Sequence, residues 1–313
     1  MGKKWNYDFD VPDSKKVRYI VHTDCKNEAD DQYALAHQVM TPKFIVKGII
    51  GGHFNLVPRQ WGEGNTAKAS VDEVNLVLDL MGLAGEYPVY EGAPRALADA
   101  KTPIPCAAVD FIIEEAMKDD DKPLFIAMMG CVTDLASAIL TKPEICGRMT
   151  AIWIGGGEYP DGGMEFNCRQ DVAAANVVFQ SAMPVWQIPK NVYKQMAVSL
   201  AELQARVKPY GKIGKYLFEQ MVEFNNNATK FPGWPHGEIW GLGDSPTISV
   251  LMEESEKTDI YDEVHAPNIN YEDLSYEHNE VNRKIRVYKE VNARLTMEDF
   301  YAKMMLNFPN ADS

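Results

Sequence analysis

The stretch VRYIVHTDCKNEADDQYAL, residues 17–35, runs from an apolar strand through a cluster of acids into the start of a helix. VRYIVH is rich in β-branched and aromatic side chains and reads as a strand. Asp24, Glu28, Asp30 and Asp31 follow at once, and apolar residues then resume at helical spacing. In an open α/β sheet, ligands bind beyond the carboxyl ends of strands, where this loop must lie. Carboxylates packed this closely repel one another unless a cation or a proton sits among them. Hard oxygen ligands in this number suit Ca²⁺ or Mg²⁺ and not a soft metal. The blander alternative is a solvated strand-to-helix loop, with Asp30 and Asp31 favoured by the helix dipole.

Working outward, short apolar runs at 44–51 (FIVKGIIG), 123–129 (PLFIAMM), 151–155 (AIWIG) and 184–189 (PVWQIP) read as further strands. Several are apolar on both faces, as parallel strands covered by helices on each side must be. Helices are expected at 65–81, opened by an Asn cap, and at 107–118, 132–140 and 172–180. This alternation predicts an α/β fold, an open and mostly parallel Rossmann-like sheet with helices on both faces. The last third changes character. Residues 200–225 read as helix, 225–243 as an aromatic, Gly- and Pro-rich lid, 244–253 as helix and 283–292 as a late strand. No repeat or low-complexity stretch interrupts the chain, and one domain over residues 1–313 is expected.

Hydrophobic residues make up 46% and charged residues 24%, the profile of a folded globular protein. A formal net charge of −14 repels phosphate backbones and anionic membrane surfaces, so neither is an expected partner. Five cysteines without a CxxC spacing argue against a disulfide framework and a zinc ribbon, and fit a reducing compartment. The start of the chain is polar and lacks a signal-peptide core, so a cytoplasmic location is expected, with a removed leader left open.

Two more segments carry candidate chemistry. GLGDSPTI, residues 241–248, places Asp244 before Ser245 and Pro246, where a helix cap is the simple explanation. MEFNCRQDVAAANVVF, residues 164–179, puts Glu165 and Asn167 just after GGGEYPDGG, residues 155–163. Polar side chains there either reach a cleft and bind hydroxyls or belong to a surface loop.

The segments in this order resemble the inosine-uridine-preferring nucleoside hydrolase family. The matching residues are Thr23-Asp24, Asp30-Asp31 and Ala34-Leu35, then Met129-Gly130 and Thr133-Asp134. They continue with Gly155-Gly156, Glu165-Phe166-Asn167 and Asp171, and end at Asp244. AVDFIIE at 108–114 and PVYEG at 88–92 also look like the family, and the likeness covers roughly residues 17–305. The resemblance implies a Ca²⁺-dependent hydrolysis of the N-glycosidic bond of ribonucleosides or related N-ribosides. Asp24, Asp31, Asp244 and the Met129 carbonyl would hold the ion, and Asp24 would activate the water. Asp30, Glu165 and Asn167 would hold the sugar. A homo-oligomer, dimer or tetramer, is the expected assembly, with a small-molecule nucleoside or N-riboside as partner.

The chain departs from the family pattern at three places. The usual loop reads DxDPGxDD, whereas CKNEA separates Asp24 from Asp30, two residues more. That adds Lys26 and Glu28 near the expected ion. His22 stands at the first acid of the usual DTD, where packing is the simpler role. His53 falls near a family Asn that contacts ribose, and is taken as a candidate sugar contact. Gly243 stands where many members carry a His that protonates the leaving base. His236, in GWPHGEIW at 233–240, is the candidate replacement, and Trp234, Trp240 or Tyr159 are candidates for stacking on a base. Two other readings remain: a binding protein of the same fold without turnover, and a Mg²⁺-dependent phosphohydrolase using Thr133 and Lys190 on phosphate.

Overall fold

Strand β1 (Val17–Thr23) is buried along its whole length, and its alternate side chains enter two different cores. Tyr19 and Val21 join the cluster on one face, and Ile20 joins the cluster on the other. The same alternation recurs in two later strands, where Ala127 and Ile152 face one core while Ile126 and Ala151 face the other. Successive strand residues point to opposite faces, so a strand apolar on both sides must be sandwiched between helical layers.

The fold is seen in a computed structural model that describes residues 5–55, 64–228, 237–253 and 259–309. After β1 the strands are β2 (Phe44–Gly51), β3 (Val89–Glu91), β4 (Leu124–Met128), β5 (Met149–Ile154) and β6 (Val185–Ile188). Then come β7 (Ala197–Ser199), β8 (Ile239–Gly241), β9 (Tyr261–His265), β10 (Asn268–Ile269), β11 (Tyr276–Glu277) and β12 (Lys284–Tyr288). Eight of them form the central sheet in the order β3-β2-β1-β4-β5-β6-β12-β9. Every pairing is parallel except β12 with β9, which is antiparallel and closes one edge. The expected open, mostly parallel sheet is present. The strand order reverses between β1 and β4, so the loops leaving their carboxyl ends diverge and open a crevice.

The helices are α1 (Asp31–Met40), α2 (Thr66–Leu80), α3 (Ala107–Ala116), α4 (Thr133–Thr141), α5 (Phe166–Gln170) and α6 (Val172–Gln180). They continue with α7 (Lys190–Tyr193), α8 (Leu200–Arg206), α9 (Gly211–Ala228), α10 (Pro246–Met252) and α11 (Ala293–Asn307). Asn65 caps α2 as expected, accepting the Lys68 N–H at 3.1 Å. The single helix expected over 200–225 is instead two, α8 and α9. Pro209 lies in the break; it lacks an N–H and disfavours helical geometry at Lys208 before it. Part of the expected lid is strand β8, which pairs antiparallel with β7 in a separate two-stranded sheet. Its Trp240 is buried edge-on against Phe224, with ring centres 5.3 Å apart. All five cysteines are free. Among the described residues no helix is long and apolar enough to cross a membrane.

Candidate active site

Three loops meet at the switch point: the acidic loop after β1, the turn after β4, and the segment from β5 into α5. A fourth, at residues 241–244, folds over from β8 into α10. They enclose a cavity of about 320 Å³, within the range of small-molecule sites. Asp24, Asn27, Glu28, Asp30, Asp31 and Asp244 supply its acidic and amide floor.

Side-chain capping of a helix accounts for neither Asp30 nor Asp244, while Asp31 does lie in the first turn of α1. Asp30 is the N-cap residue of α1, yet its side chain makes no capping bond. Asp244 does not cap α10 either, because Ser245 holds that position and makes no side-chain cap. Instead, Asp30, Asp31 and Asp244 converge, with one carboxylate oxygen from each lying within 4.8 Å of the others, and all three are buried. Thr23, at the end of β1, donates its hydroxyl to Asp31 Oδ1.

Burial and mutual repulsion set the electrostatics. Asp24 is pushed well above the usual carboxylate range by burial, then by the charges of Asp31, Glu28 and Asp30. Asp244 is pushed well up by burial, then by Asp30, Asp31 and Asp24. Burial also raises Asp31 to about 7, with the charge of Asp30 adding to it. Asp30 rises to about 6 through burial, partly offset by backbone N–H groups including those of Gly243 and Asp244. Such a group of buried acids is held together by protons or by a cation. Asn27 agrees with the second option: its Nδ2 donates to Asp24 Oδ2 at 3.2 Å, while its buried Oδ1 has no hydrogen-bond partner among the described residues. The donor set is all oxygen, which fits a hard divalent ion.

The opposite wall is built by α5. Asn167 Nδ2 donates to the Met129 and Ile154 carbonyls, each at 2.9 Å, and so ties together the ends of β4 and β5. Glu165 is buried and accepts four donors: the N–H groups of Gly156, Asn167 and Cys168, and the Tyr193 hydroxyl at 3.0 Å. Both residues line the cavity. Gly130, next to Met129, packs directly on Asp24, and a Cβ there would lie 2.9 Å from Asp24 Cγ.

The family profile of inosine-uridine preferring nucleoside hydrolases matches residues 19–299. The chain belongs to this family. It is therefore an N-glycosyl hydrolase by kinship. Among curated relatives, the pyrimidine-specific ribonucleoside hydrolase RihA of Escherichia coli O127:H6 is 24% identical over 261 residues, covering 74% of this chain and 78% of the relative. The fold matches the purine-preferring ribonucleoside hydrolase of Gardnerella vaginalis with a TM-score of 0.71 at 21% identity, over 92% of this chain and 98% of that one. A plant nucleoside hydrolase, PpNRh1, matches with a TM-score of 0.72 at 17% identity, again over 92% and 98%.

Of the residues singled out from sequence, this nucleoside hydrolase brings Asp24, Glu28, Asp30, Asp31, Met129, Glu165, Asn167, Lys190, Trp240 and Asp244 to one cavity. Asp30 belongs to the tight acid triad, whereas the resemblance had assigned it to the sugar; Asp24 lies beside that triad. His53 is not among the cavity-lining residues. It is buried behind them, with Nε2 2.9 Å from the Thr133 hydroxyl, which in turn donates to Asp171 Oδ2 at 2.7 Å. Burial lowers His53 to about 4. His22 is packed as expected, 2.8 Å from Asp134 Oδ2. Burial would raise Asp134, but that bond, the His22 charge and the Ala93 N–H together hold it below its ordinary value. His236 and Trp234 lie outside the described residues. Tyr159 meets His278 edge-on and is not among the cavity-lining residues. Sequence reasoning missed Asn27, Tyr193 and Lys194, all of which line the cavity. Tyr193 and Lys194 follow β6, whose carboxyl end also borders the crevice, so an inspection of every strand end would have found them.

Proposed function

We propose that this nucleoside hydrolase cleaves the N-glycosidic bond of ribonucleosides or related N-ribosides, with Ca²⁺ as its ion. The observation that carries the reading is the convergence of Asp30, Asp31 and Asp244 at the floor of a cavity of nucleoside size. Asp24, Asp31, Asp244 and the Met129 carbonyl are the candidate ligands, with Asp30 close enough to share that role. A bound Ca²⁺ would lower the pKa of a coordinated water and orient the sugar hydroxyls.

Asp24 takes the proton of the attacking water, as a buried carboxylate at the floor of the cavity. As the C–N bond breaks, positive charge builds on the ribosyl ring, and the acidic floor stabilises it. Asn167 and Glu165 shape the sugar side of the cavity. Glu165, with its oxygens already occupied by four donors, fixes the wall more than it offers free acceptors.

The phosphohydrolase alternative keeps Lys190, which lines the cavity, but loses Thr133, which is buried and bonded to Asp171 away from it. Binding without turnover keeps one observation in its favour: Gly243 carries no acid beside the cavity. The deciding experiment incubates the protein with ribosides, deoxyribosides and a nitrophenyl riboside, with Ca²⁺ or with chelator, and measures released sugar. Cleavage of ribosides over deoxyribosides, abolished by chelator and restored by Ca²⁺, is expected. No release from any substrate with Ca²⁺ present would sink the reading in favour of binding alone.

A further inference from the structure

Behind the acidic loop lies a second polar cluster that hydrolysis itself does not use. Glu73 sits on α2 and is only 5% exposed. Its Oε2 is 3.3 Å from Lys26 Nζ. Its Oε1 accepts Gln32 Nε2 at 3.0 Å and also the hydroxyl of Tyr216 from α9. Lys26 Nζ reaches the same Tyr216 hydroxyl at 3.2 Å. None of these four residues lines the cavity.

Their positions in the chain give the cluster its meaning. Lys26 follows Asp24 closely, and Gln32 follows Asp31 directly, so Glu73 grips the acidic loop at both limbs. Lys26 also has φ +79°, a left-handed conformation that a residue with a Cβ rarely adopts. Such backbone persists where the surroundings over-determine it. Here the turn is closed by the Asn27 N–H on the Asp24 carbonyl at 3.0 Å, and the Lys26 ammonium is held by Glu73 and Tyr216. Without such a grip, Asp24, Glu28, Asp30 and Asp31 would repel one another and spread the loop whenever no cation neutralised them.

We propose that Glu73 is a positioning residue for the cation site, clipping both limbs of the acidic loop through Lys26 and Gln32 so that its carboxylates converge before the ion arrives. The clip rests on the cation-dependent reading given above. It is a statement about preorganisation: a site already assembled binds its ligand more tightly than one that must first close. A purely structural role, joining α2 to α9, would lower thermal stability and leave the ion affinity of the folded protein alone.

Metal-stripped protein titrated with Ca²⁺ in a calorimeter separates the two. Glu73→Gln removes the charge at constant shape. Lys26→Gly removes the ammonium while relieving the left-handed strain, so it remains informative if Glu73→Gln folds poorly. Both are expected to bind Ca²⁺ at least tenfold more weakly, with turnover recovered at high Ca²⁺, while Lys26→Arg stays within threefold of the parent. Parent-like Ca²⁺ affinity in both Glu73→Gln and Lys26→Gly overturns the clip and leaves the hydrolase reading intact. A parent that binds no Ca²⁺ overturns the cation-dependent reading and the clip together.

Discussion

Gly130→Ala tests the packing of β4 against the acidic loop with the smallest possible change. The added Cβ would sit 2.9 Å from Asp24 Cγ, 3.1 Å from its Cβ and 3.2 Å from its Oδ1. Carbon atoms pack at about 3.5–4.0 Å, so something must move by roughly half an ångström or more. Asp24 is 2% exposed and has no solvent to retreat into. Gly130 is held from the far side, where Trp153 Nε1 donates to its carbonyl at 3.1 Å. The strain therefore falls on the carboxylate proposed as base and ligand. Overpacking of this kind costs about 1–3 kcal/mol of stability. A displacement approaching 1 Å at a reacting group costs up to about 10²-fold in rate. We expect kcat/KM for riboside hydrolysis to fall about 10- to 100-fold, with weaker Ca²⁺ binding and a modest drop in Tm. Gly147→Ala is the control, since its Cβ would meet nothing within 4 Å. If Gly130→Ala keeps kcat/KM within twofold of the parent and binds Ca²⁺ normally, Asp24 is not the geometrically critical group argued here.

Asp24→Asn preserves shape but removes a proton acceptor and a charge; turnover should fall roughly 10²-fold or more, and normal turnover with calcium still bound would exclude it as base. His236→Ala should slow natural nucleosides markedly and nitrophenyl riboside little, because nitrophenolate leaves without protonation; equal slowing of both would remove His236 as an acid. Acid unfolding should carry the mark of buried His53, lowered from 6.5 to about 4. Its neutral form is favoured in the fold, so its contribution is fully present above pH 6.5 and is lost as pH falls toward 4. That is about 3 kcal/mol at 1.36 kcal/mol per pKa unit. Urea unfolding at pH 7 and pH 4 should show a smaller pH-dependent loss in His53→Gln than in the parent, and identical losses would refute the assignment.

The parts of the fold legible in the sequence are those encoded locally. FIVKGIIG is largely apolar on both faces because the strand is covered on both sides, and that pattern needs no knowledge of the partners. The acidic loop was legible for a similar reason: a strand end followed by crowded carboxylates is costly without a ligand, and the cost is visible in one stretch of chain. What was not legible depends on direction and distance. His53 lies two residues beyond β2, yet its ring turns into the protein toward Thr133, because the direction of a side chain past a strand end is set by tertiary packing. The antiparallel edge strand β9 pairs with β12 across a sequence gap that no periodicity signals. Glu73 lay unremarked within an amphipathic helix, since only the folded chain brings Lys26, Gln32 and Tyr216 to it.

Gly243 bears on how a leaving group could be protonated. A Cβ at this position would lie 3.1 Å from the Tyr193 ring and 3.5 Å from Asp30 Oδ2. A side chain at 243 would thus press on the tyrosine ring, which would have to give by a few tenths of an ångström, and would meet Asp30 at ordinary contact distance. The tyrosine is fixed in turn, its hydroxyl donating to Glu165 at 3.0 Å. Burial and the charge of Glu165 push the Tyr193 phenol well above its ordinary value, so it keeps its proton and serves as a fixed donor to Glu165. Beside Gly243, then, the cavity wall carries a phenol that keeps its proton, hydrogen-bonded to Glu165. Protonation of a departing base must then come from elsewhere in the chain, with His236 the candidate by sequence, or be unnecessary for the substrate. The contrast between natural nucleosides and an activated riboside is therefore the comparison most sensitive to the source of that proton.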